Sequence, residues 1–517
     1  MDISFFTRQA CGQTSRVEPD APALGMESEP PLTFAQLAGR SRSYANALLE
    51  LGVRPGDRVG ILMYNGNEYW LAYFAITRLG AIAVRLNFRL GPAEIQYALE
   101  DSGSTVLLGD PDLLERLTVV RANLPVQHFV ALDRAGPAPS WALSWDVLEG
   151  GSDAEPQTAL PGPDDGAMIM YTSGTTGRPK GALWSHGTTA WWTAMQIMEW
   201  KFSAASVTMV TGPLYHVGGL ENYTLPTLAA GGRVVMLRSK NFQIERTMRI
   251  ASEARVTDLL LFPVMIQQMI QSTEIEKLDL TSVTRIFTGG DAVHPWAIEQ
   301  LRDRYPWMDL IQVYGLTEGT PVVACGAPGF AFERPQFVGR AFPFAELTVR
   351  DEHGRQVTDG TAGEIWTRSP ANAVGYWNKP QESADTFVDG WCKTGDLGLV
   401  EGGALRISGR KKDMIRSGGE NIYPAELEDM LLRHPKIADV AIIGIPDPTF
   451  VEAVCAVVVV ADGEELTVAD VMEHCVAHLA SFKRPKRVEF VDALPRTASL
   501  KVQKFALRER FGAAATP

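Results

Sequence analysis

The stretch Met168-Ile-Met-Tyr-Thr-Ser-Gly-Thr-Thr-Gly-Arg-Pro-Lys-Gly181 constrains this chain more than any other. Its apolar opening, Met168 to Tyr171, reads as the end of a buried strand, and the chain then breaks abruptly into hydroxyls and glycines. Thr172, Ser173, Thr175 and Thr176 bring four hydroxyls within five positions, while Gly174 and Gly177 have no side chain to hold a backbone N–H away from an anion. Arg178 and Lys180 add positive charge, so the loop suits a polyanion better than a neutral ligand. Ser/Thr/Gly clusters are ordinarily surface turns. Two hydroxyl pairs, two glycines and two cations in nine residues exceed what a turn needs. The mononucleotide P-loop fits poorly, because it places four residues between its glycines and Lys-Ser/Thr directly after the second. Here two residues separate Gly174 from Gly177, and Lys180 follows three positions later.

The flanking sequence supplies layers to hold such a loop. Phe34, Leu37, Tyr44 and Leu48 recur at helical spacing and the pattern stops at Leu51-Gly52, which predicts a helix and a turn. Strands at Val59–Met63 and Ala81–Val84, a helix over Glu68–Leu79, and a helix from Pro92 leading to a strand at Thr105–Leu108 follow in alternation. That order predicts α/β architecture with a largely parallel sheet. The segment Asp133 to Asp165, rich in Pro, Gly, Ala and Ser, reads as a loop crossing. Leu259–Phe262 with Pro263, Arg285–Gly290 and Ile311–Glu318 are apolar strands ending in small or kinked residues, and ligands gather at such strand ends. This marks Gly289 and Gly290.

At 517 residues the chain is too long for one ordinary core. After the charged run Ser408-Gly-Arg-Lys-Lys-Asp-Met-Ile415 the pattern becomes strand, helix, strand, strand, helix, strand, which suits a compact α+β domain of about a hundred residues. The expectation is a large multi-layer N-terminal α/β domain with parallel sheets and a small C-terminal α+β domain. A net charge of -13 argues against nucleic-acid binding, so an anionic ligand must be held by a local basic pocket. No apolar run is long enough to span a bilayer, and Met1 to Arg8 lacks the pattern of a secretory signal. Five scattered cysteines without a CxxC pair favour a reducing, cytoplasmic setting.

Several residues carry candidate chemistry. His216, in Gly212-Pro-Leu-Tyr-His-Val-Gly-Gly219, is either a satisfied core histidine or part of a ligand-lining wall between glycines and aromatics. In Tyr314-Gly-Leu-Thr-Glu318, Tyr314 offers a face for stacking a base, Gly315 lets it approach, and Thr317 and Glu318 end the run in a hydroxyl and a carboxylate. A magnesium ion bridging phosphates wants hard oxygens and few protein carboxylates, which makes Glu318 its candidate ligand; a solvated strand-end glutamate is the alternative. Asp396 follows a glycine turn, where a carboxylate can accept both hydroxyls of a ribose. Lys501 stands on a polar turn near the C-terminus. His474, Cys475 and His478 do not make a zinc site, since Cys475 belongs to the apolar stripe Val468, Val471, Met472, Cys475, Val476 and Leu479, and no further ligands lie nearby.

Taken in order, Tyr171-Thr-Ser-Gly-Thr-Thr-Gly177 with Lys180-Gly181, Tyr314-Gly-Leu-Thr-Glu318, Lys393-Thr-Gly-Asp396, Gly409-Arg-Lys-Lys-Asp413 and Gly418-Gly-Glu-Asn-Ile-Tyr-Pro424 resemble the superfamily of AMP-forming adenylating enzymes. That superfamily contains acyl-CoA synthetases, the adenylation domains of peptide synthetases, and luciferases. The resemblance covers nearly the whole chain. It implies an N-terminal adenylate-forming domain over 1–409, a hinge at 410–412 turning at Lys412, and a small mobile domain over 413–517. It implies that Thr172, Ser173, Gly174, Thr175, Thr176, Gly177 and Lys180 hold the triphosphate of ATP, that Tyr314 and Gly315 lie by adenine, that Thr317 contacts phosphate and that Glu318 serves Mg2+. Asp396 and Arg410 would hold the ribose, Lys501 would be the catalytic lysine, and His216 would line the acyl site. Gly418 and Gly419 would flank the path of coenzyme A. Leu500 stands where a glycine usually precedes that lysine.

The resulting expectation is an ATP-dependent acid:CoA ligase acting on a fatty or aryl acid, with ATP, Mg2+ and coenzyme A as its small molecules and a homodimer allowed. The alternatives are an adenylating enzyme that loads a carrier-protein thiol or another acceptor, and a non-catalytic nucleotide-binding regulator. Glu221 and Asp291 are carboxylates that would suit a polar or cationic tail on the acid.

Overall fold

The computed structural model describes residues 18–27, 29–172, 178–240, 242–290, 293–417, 420–496 and 502–512. They form two compact units: Met1–Pro335 with Gly339–Leu347 and Thr367–Lys393, and Gln336–Val338 with Thr348–Trp366 and Thr394–Pro517. Ser173–Gly177, Asp291, Gly418, Gly419 and Lys501 lie outside the described residues.

The first unit holds two large mixed sheets. One runs Gly375–Tyr376, Lys180–Ser185, Gly166–Thr172, Ile82–Arg85, Arg58–Leu62, Val106–Gly109, His128–Ala131 and Leu143–Ser144. Its central strands are parallel, and Lys180–Ser185 is antiparallel to both of its neighbours. The other runs Arg340–Ala341, Ala324–Cys325, Asp309–Tyr314, Arg285–Gly289, Asp258–Leu260, Val207–Val210, Arg233–Met236, Pro22–Met26 and Leu32–Thr33, parallel except at its ends.

Local chemistry explains where the helices begin. Thr33 accepts from the N–H of Gln36 at 3.2 Å while Gln36 accepts from that of Thr33 at 2.9 Å, a reciprocal cap that starts Phe34–Glu50. Proline stands in the first turn of Pro92–Ser102, Pro263–Gln271 and Pro295–Arg304, where its missing N–H costs nothing. In the helix Asn67–Arg78 every residue from Tyr69 onward is buried, and the helix packs on strands of both sheets. A helix apolar all round is a layer inside the molecule.

The expected loop crossing over Asp133–Asp165 is only partly irregular. It contains the strand Leu143–Ser144 and the helix Asp146–Glu149, and Trp145 is fully buried, donating its Nε1–H to Tyr44 at 2.8 Å. A single deeply buried indole thus anchors a stretch whose composition is that of a linker.

In the second unit the long strands Ile437–Asp447 and Val451–Val460 pair antiparallel, and Arg487–Phe490 adds in parallel to the latter. Alternation sorts their side chains onto two faces. Ile442, Val454, Ala456 and Val458 meet the helices Pro424–Leu431 and Val468–His478, while Ala441, Ile443, Cys455 and Val457 meet Leu507 and Phe511 of Lys504–Phe511. The apolar stripe expected on Val468–His478 is narrower than its sequence suggests: Val471 and Cys475 are buried, but Val468 and Val476 are exposed. No helix among the described residues is long and apolar enough to cross a membrane.

Candidate active site

The glycine-rich loop joins two antiparallel strands, with Thr172 opposite Lys180 and Tyr171 opposite Gly181. It is therefore a hairpin connection rather than the strand-to-helix turn of a P-loop. Tyr171 is fixed from below by donating to Asp101 at 2.8 Å, and Lys379 pairs with the same carboxylate at 3.0 Å. Burial and the neighbouring Asp101 push the Tyr171 phenol well up, so it stays a donor.

Side-chain alternation places Thr172, Lys180 and Tyr376 on one face. Thr172 and Lys180 are cross-strand partners, Lys180 and Ala182 share a side, and Ala182 is opposite Tyr376. Glu318 enters that face from the loop after Asp309–Tyr314. Its Oε1 accepts from the Thr172 hydroxyl at 2.8 Å and from the Tyr376 phenol at 3.1 Å. The Lys180 ammonium sits 5.1 Å from the centre of the Tyr376 ring. Burial, then the charge of Glu318, pushes the Tyr376 phenol up, which keeps its proton in place.

The backbone around Glu318 is held from both sides. Ala373 N–H donates to the Glu318 carbonyl at 2.9 Å, and the Trp184 indole donates to the Thr317 carbonyl at 2.9 Å. Gly315 has to be glycine, because a Cβ there would lie 2.3 Å from the Pro321 carbonyl oxygen. Tyr314 ends its strand half-buried, with its carbonyl taking the N–H of Val323 at 2.7 Å. Gly289 ends the adjacent strand, and Gly290 follows at φ 87°, a left-handed conformation that suits glycine.

Among the described residues Glu318 forms no ion pair, and its Oε2 accepts no hydrogen bond. One carboxylate oxygen fixed by hydroxyls and one left over, beside the threonine hydroxyl, is a donor set of hard oxygens suited to Mg2+. No group of three or more His, Cys, Asp or Glu among the described residues could cage a metal. A magnesium ion that keeps phosphate and water ligands does not need such a cage.

His216 lies in the turn after Gly212, and its Nδ1 accepts from the N–H of Gly218 at 3.1 Å, which puts the proton of a neutral ring on Nε2. The same turn carries Glu221, whose role differs from the one expected. Its Oε2 is 2.8 Å from Arg85 Nη2, and both side chains are wholly buried. Tyr73 donates to its Oε1 at 3.1 Å. Its charge is therefore answered inside the protein and is not offered to a cationic tail.

In the second unit Asp396 and Arg410 face one another across a strand pair, with Arg410 Nε 3.3 Å from Asp396 Oδ1. Lys412 falls in the turn that follows; loss of solvent, then repulsion from Arg410, draws its ammonium pKa below the usual lysine value. The turn is fixed by Arg508, which pairs with Asp413 at 2.8 Å.

Tyr376, Trp184 and Asp101 escaped the sequence reading. Gly375-Tyr376-Trp377 is a visible aromatic cluster, but only the pairing of its short strand with Lys180–Ser185 brings it to Glu318.

The family model described as AMP-binding enzyme matches residues 11–377, and that described as AMP-binding enzyme C-terminal domain matches residues 426–501. An indoleacetate–CoA ligase of Aromatoleum aromaticum is 39% identical, over 92% of this chain and 93% of that protein. A feruloyl-CoA synthase of an Amycolatopsis species is 36% identical, over 96% and 97%. Among solved structures, the anthranilate CoA ligase AuaEII in complex with anthranoyl-AMP superposes with a TM-score of 0.91 at 26% identity, covering 100% of this chain and 98% of that one. The chain belongs to the AMP-binding enzyme family.

Proposed function

We propose that this enzyme joins an aryl carboxylic acid to coenzyme A, by way of an acyl adenylate. It is an AMP-forming carboxylate–CoA ligase of the aryl- and fatty-acid group. The observation that carries the reading is the Thr172–Glu318 hydrogen bond of 2.8 Å, which sets the edge of the glycine-rich loop against a carboxylate that has no ion-pair partner among the described residues. The aryl class is supported by the relatives: indoleacetate, ferulate and anthranilate, named in their descriptions, are all ring-bearing acids.

The chemistry has two steps. A carboxylate oxygen attacks the α-phosphorus of ATP, the bond from that phosphorus to the bridging oxygen breaks, and pyrophosphate leaves. The coenzyme A sulfur then attacks the acyl carbonyl, the bond to the AMP oxygen breaks, and the thiol proton passes to solvent. The first step brings two anions together, so the site has to neutralise both while aligning them. Lys180 and the loop residues Thr172, Ser173, Gly174, Thr175, Thr176 and Gly177 take the β- and γ-phosphates, and Thr317 adds a hydroxyl. Glu318 would hold Mg2+, which supplies positive charge to the triphosphate. Tyr314 stacks on adenine beside Gly315, with Gly289 and Gly290 leaving room. Asp396 and Arg410 take the ribose, and Lys501 bridges the carboxylate and the α-phosphate. His216 lines the acid. Gly418 and Gly419 flank the thiol path, and the chain between 1–409 and 413–517 turns at Lys412 to exchange Lys501 for them. A reducing, cytoplasmic setting is supported by Cys325, Cys392, Cys455 and Cys475, all buried free thiols.

Pyrophosphate release with indoleacetate, benzoates, cinnamates and alkanoates of graded length, each with coenzyme A or a carrier protein, tests the substrate class. Ring-bearing acids with coenzyme A are expected to lead. Preference for long alkanoates, or for the carrier protein, would overturn it. Lys501→Ala is expected to lower adenylate formation about 100- to 1000-fold while still converting supplied acyl-AMP to thioester. Equal loss of both steps would remove Lys501 from its assigned role.

A further inference from the structure

We propose that Tyr376 is a positioning residue for Glu318 and Lys180 at once: its phenol aims the carboxylate and its ring face seats the ammonium. The inference rests on the metal role given to Glu318 above, and adds a residue to it. Tyr376 is itself held firmly. Its N–H donates to Ser383 Oγ at 2.8 Å, its backbone pairs with Ala182, its ring meets Phe387 edge-on at 6.0 Å, and the next residue's N–H donates to the Gly181 carbonyl at 2.8 Å.

A carboxylate that takes two hydroxyl donors on one oxygen cannot rotate freely, and the other oxygen is then presented in a fixed direction. Thr172 and Tyr376 are those two donors, at 2.8 and 3.1 Å, both on Oε1. Neither brings a positive charge, so the carboxylate is oriented without being neutralised. An arginine in place of either would orient it equally well and cancel the charge a divalent cation needs. The ring does separate work. Lys180 is a flexible side chain, and an aromatic face 5.1 Å from its ammonium restricts it to the side of the sheet that Glu318 occupies. One residue thereby couples the acidic and the basic sides of a phosphate site.

The two roles can be separated by substitution. Tyr376→Phe removes the phenol and keeps the ring; Tyr376→Leu removes both. Binding of Mn2+ to the full chain with a non-hydrolysable ATP analogue, followed by electron paramagnetic resonance, reads the first role. The KM for ATP in pyrophosphate release reads the second, and thermal melting checks the fold. Tyr376→Phe is expected to weaken Mn2+ about tenfold, the lower end of the effect of removing a group that orients a metal ligand. By linkage its KM for ATP should rise by no more than about that tenfold, as loss of one neutral donor does not touch Lys180. Tyr376→Leu is expected to weaken Mn2+ equally and to raise the KM for ATP well beyond that of Tyr376→Phe. Glu318→Gln in the same assay separates the two claims. If it weakens Mn2+ and Tyr376→Phe does not, the Tyr376 proposal alone is overturned. If Glu318→Gln has no effect, the metal role falls and the proposal with it. In the double variant Tyr376→Phe/Glu318→Gln, Mn2+ binding should match Glu318→Gln alone; additive losses would also overturn the proposal.

Discussion

Glu221 and Glu318 are both carboxylates of the first unit that accept a tyrosine hydroxyl at 3.1 Å, yet they do opposite work. Glu221 is sealed from solvent with Arg85 at 2.8 Å, and burial pushes its carboxyl up against the pull of that arginine. Glu318 is half-buried and, among the described residues, receives hydroxyls alone. The first carboxylate is complete within the fold. It joins the strand Ile82–Arg85, the helix Asn67–Arg78 and the turn that carries His216, since Arg85 also donates to the Leu214 carbonyl at 3.2 Å. The second, among the described residues, meets two hydroxyls and no protein cation within ion-pair distance. A tyrosine neighbour therefore says little about what a buried carboxylate is for. The presence or absence of a protein cation beside it says much more.

Four variants press on that contrast. Glu318→Gln should cost about 100- to 1000-fold in the rate of pyrophosphate release with an unchanged melting temperature, as for removal of one preorganised electrostatic group. A large loss of stability instead would make Glu318 a structural carboxylate like Glu221. Glu221→Gln should do the reverse. It strands the Arg85 charge in a dry interior and should lower stability by about 3 to 5 kcal/mol, measured by denaturant unfolding. Pyrophosphate release per folded molecule should stay within a few-fold of the parent. Replacing both partners, Arg85→Met with Glu221→Leu, should recover most of that loss, because no charge is then left alone. Failure to recover would show that the pair shapes the turn rather than merely neutralising itself. The smallest effect belongs to Tyr73→Phe, about 1.5 to 3 kcal/mol for one hydrogen bond to a buried charge.

The difference between these carboxylates was not legible in the sequence, although much else was. Phe34, Leu37, Tyr44 and Leu48 are all buried on the helix their spacing predicts, because amphipathic periodicity is local information. Proline at helix starts and glycine at strand ends are equally local. The strand end at Met168–Tyr171 is there too, within Gly166–Thr172. Glu221 read as a carboxylate open to a substrate because its partner Arg85 lies on a distant strand, inside an apolar run that gives no hint of a charge to be answered. Tyr376 was overlooked for the same reason: 58 residues separate it from Glu318, and only the register of three strands brings them together. Trp145 was hidden differently, as one buried indole in a stretch with the composition of a linker. In each case the missing fact was a contact with a residue far away along the chain.

The central claim is that the acid is activated at its own carboxylate by transfer of AMP. Supplying indoleacetate with both carboxylate oxygens as oxygen-18, together with ATP and coenzyme A, tests it by mass spectrometry of the products. One labelled oxygen should appear in AMP and none in pyrophosphate, with acyl-CoA formed in equal amount. Label found in inorganic phosphate alongside ADP, or acyl-CoA formed with unlabelled AMP, would contradict the account.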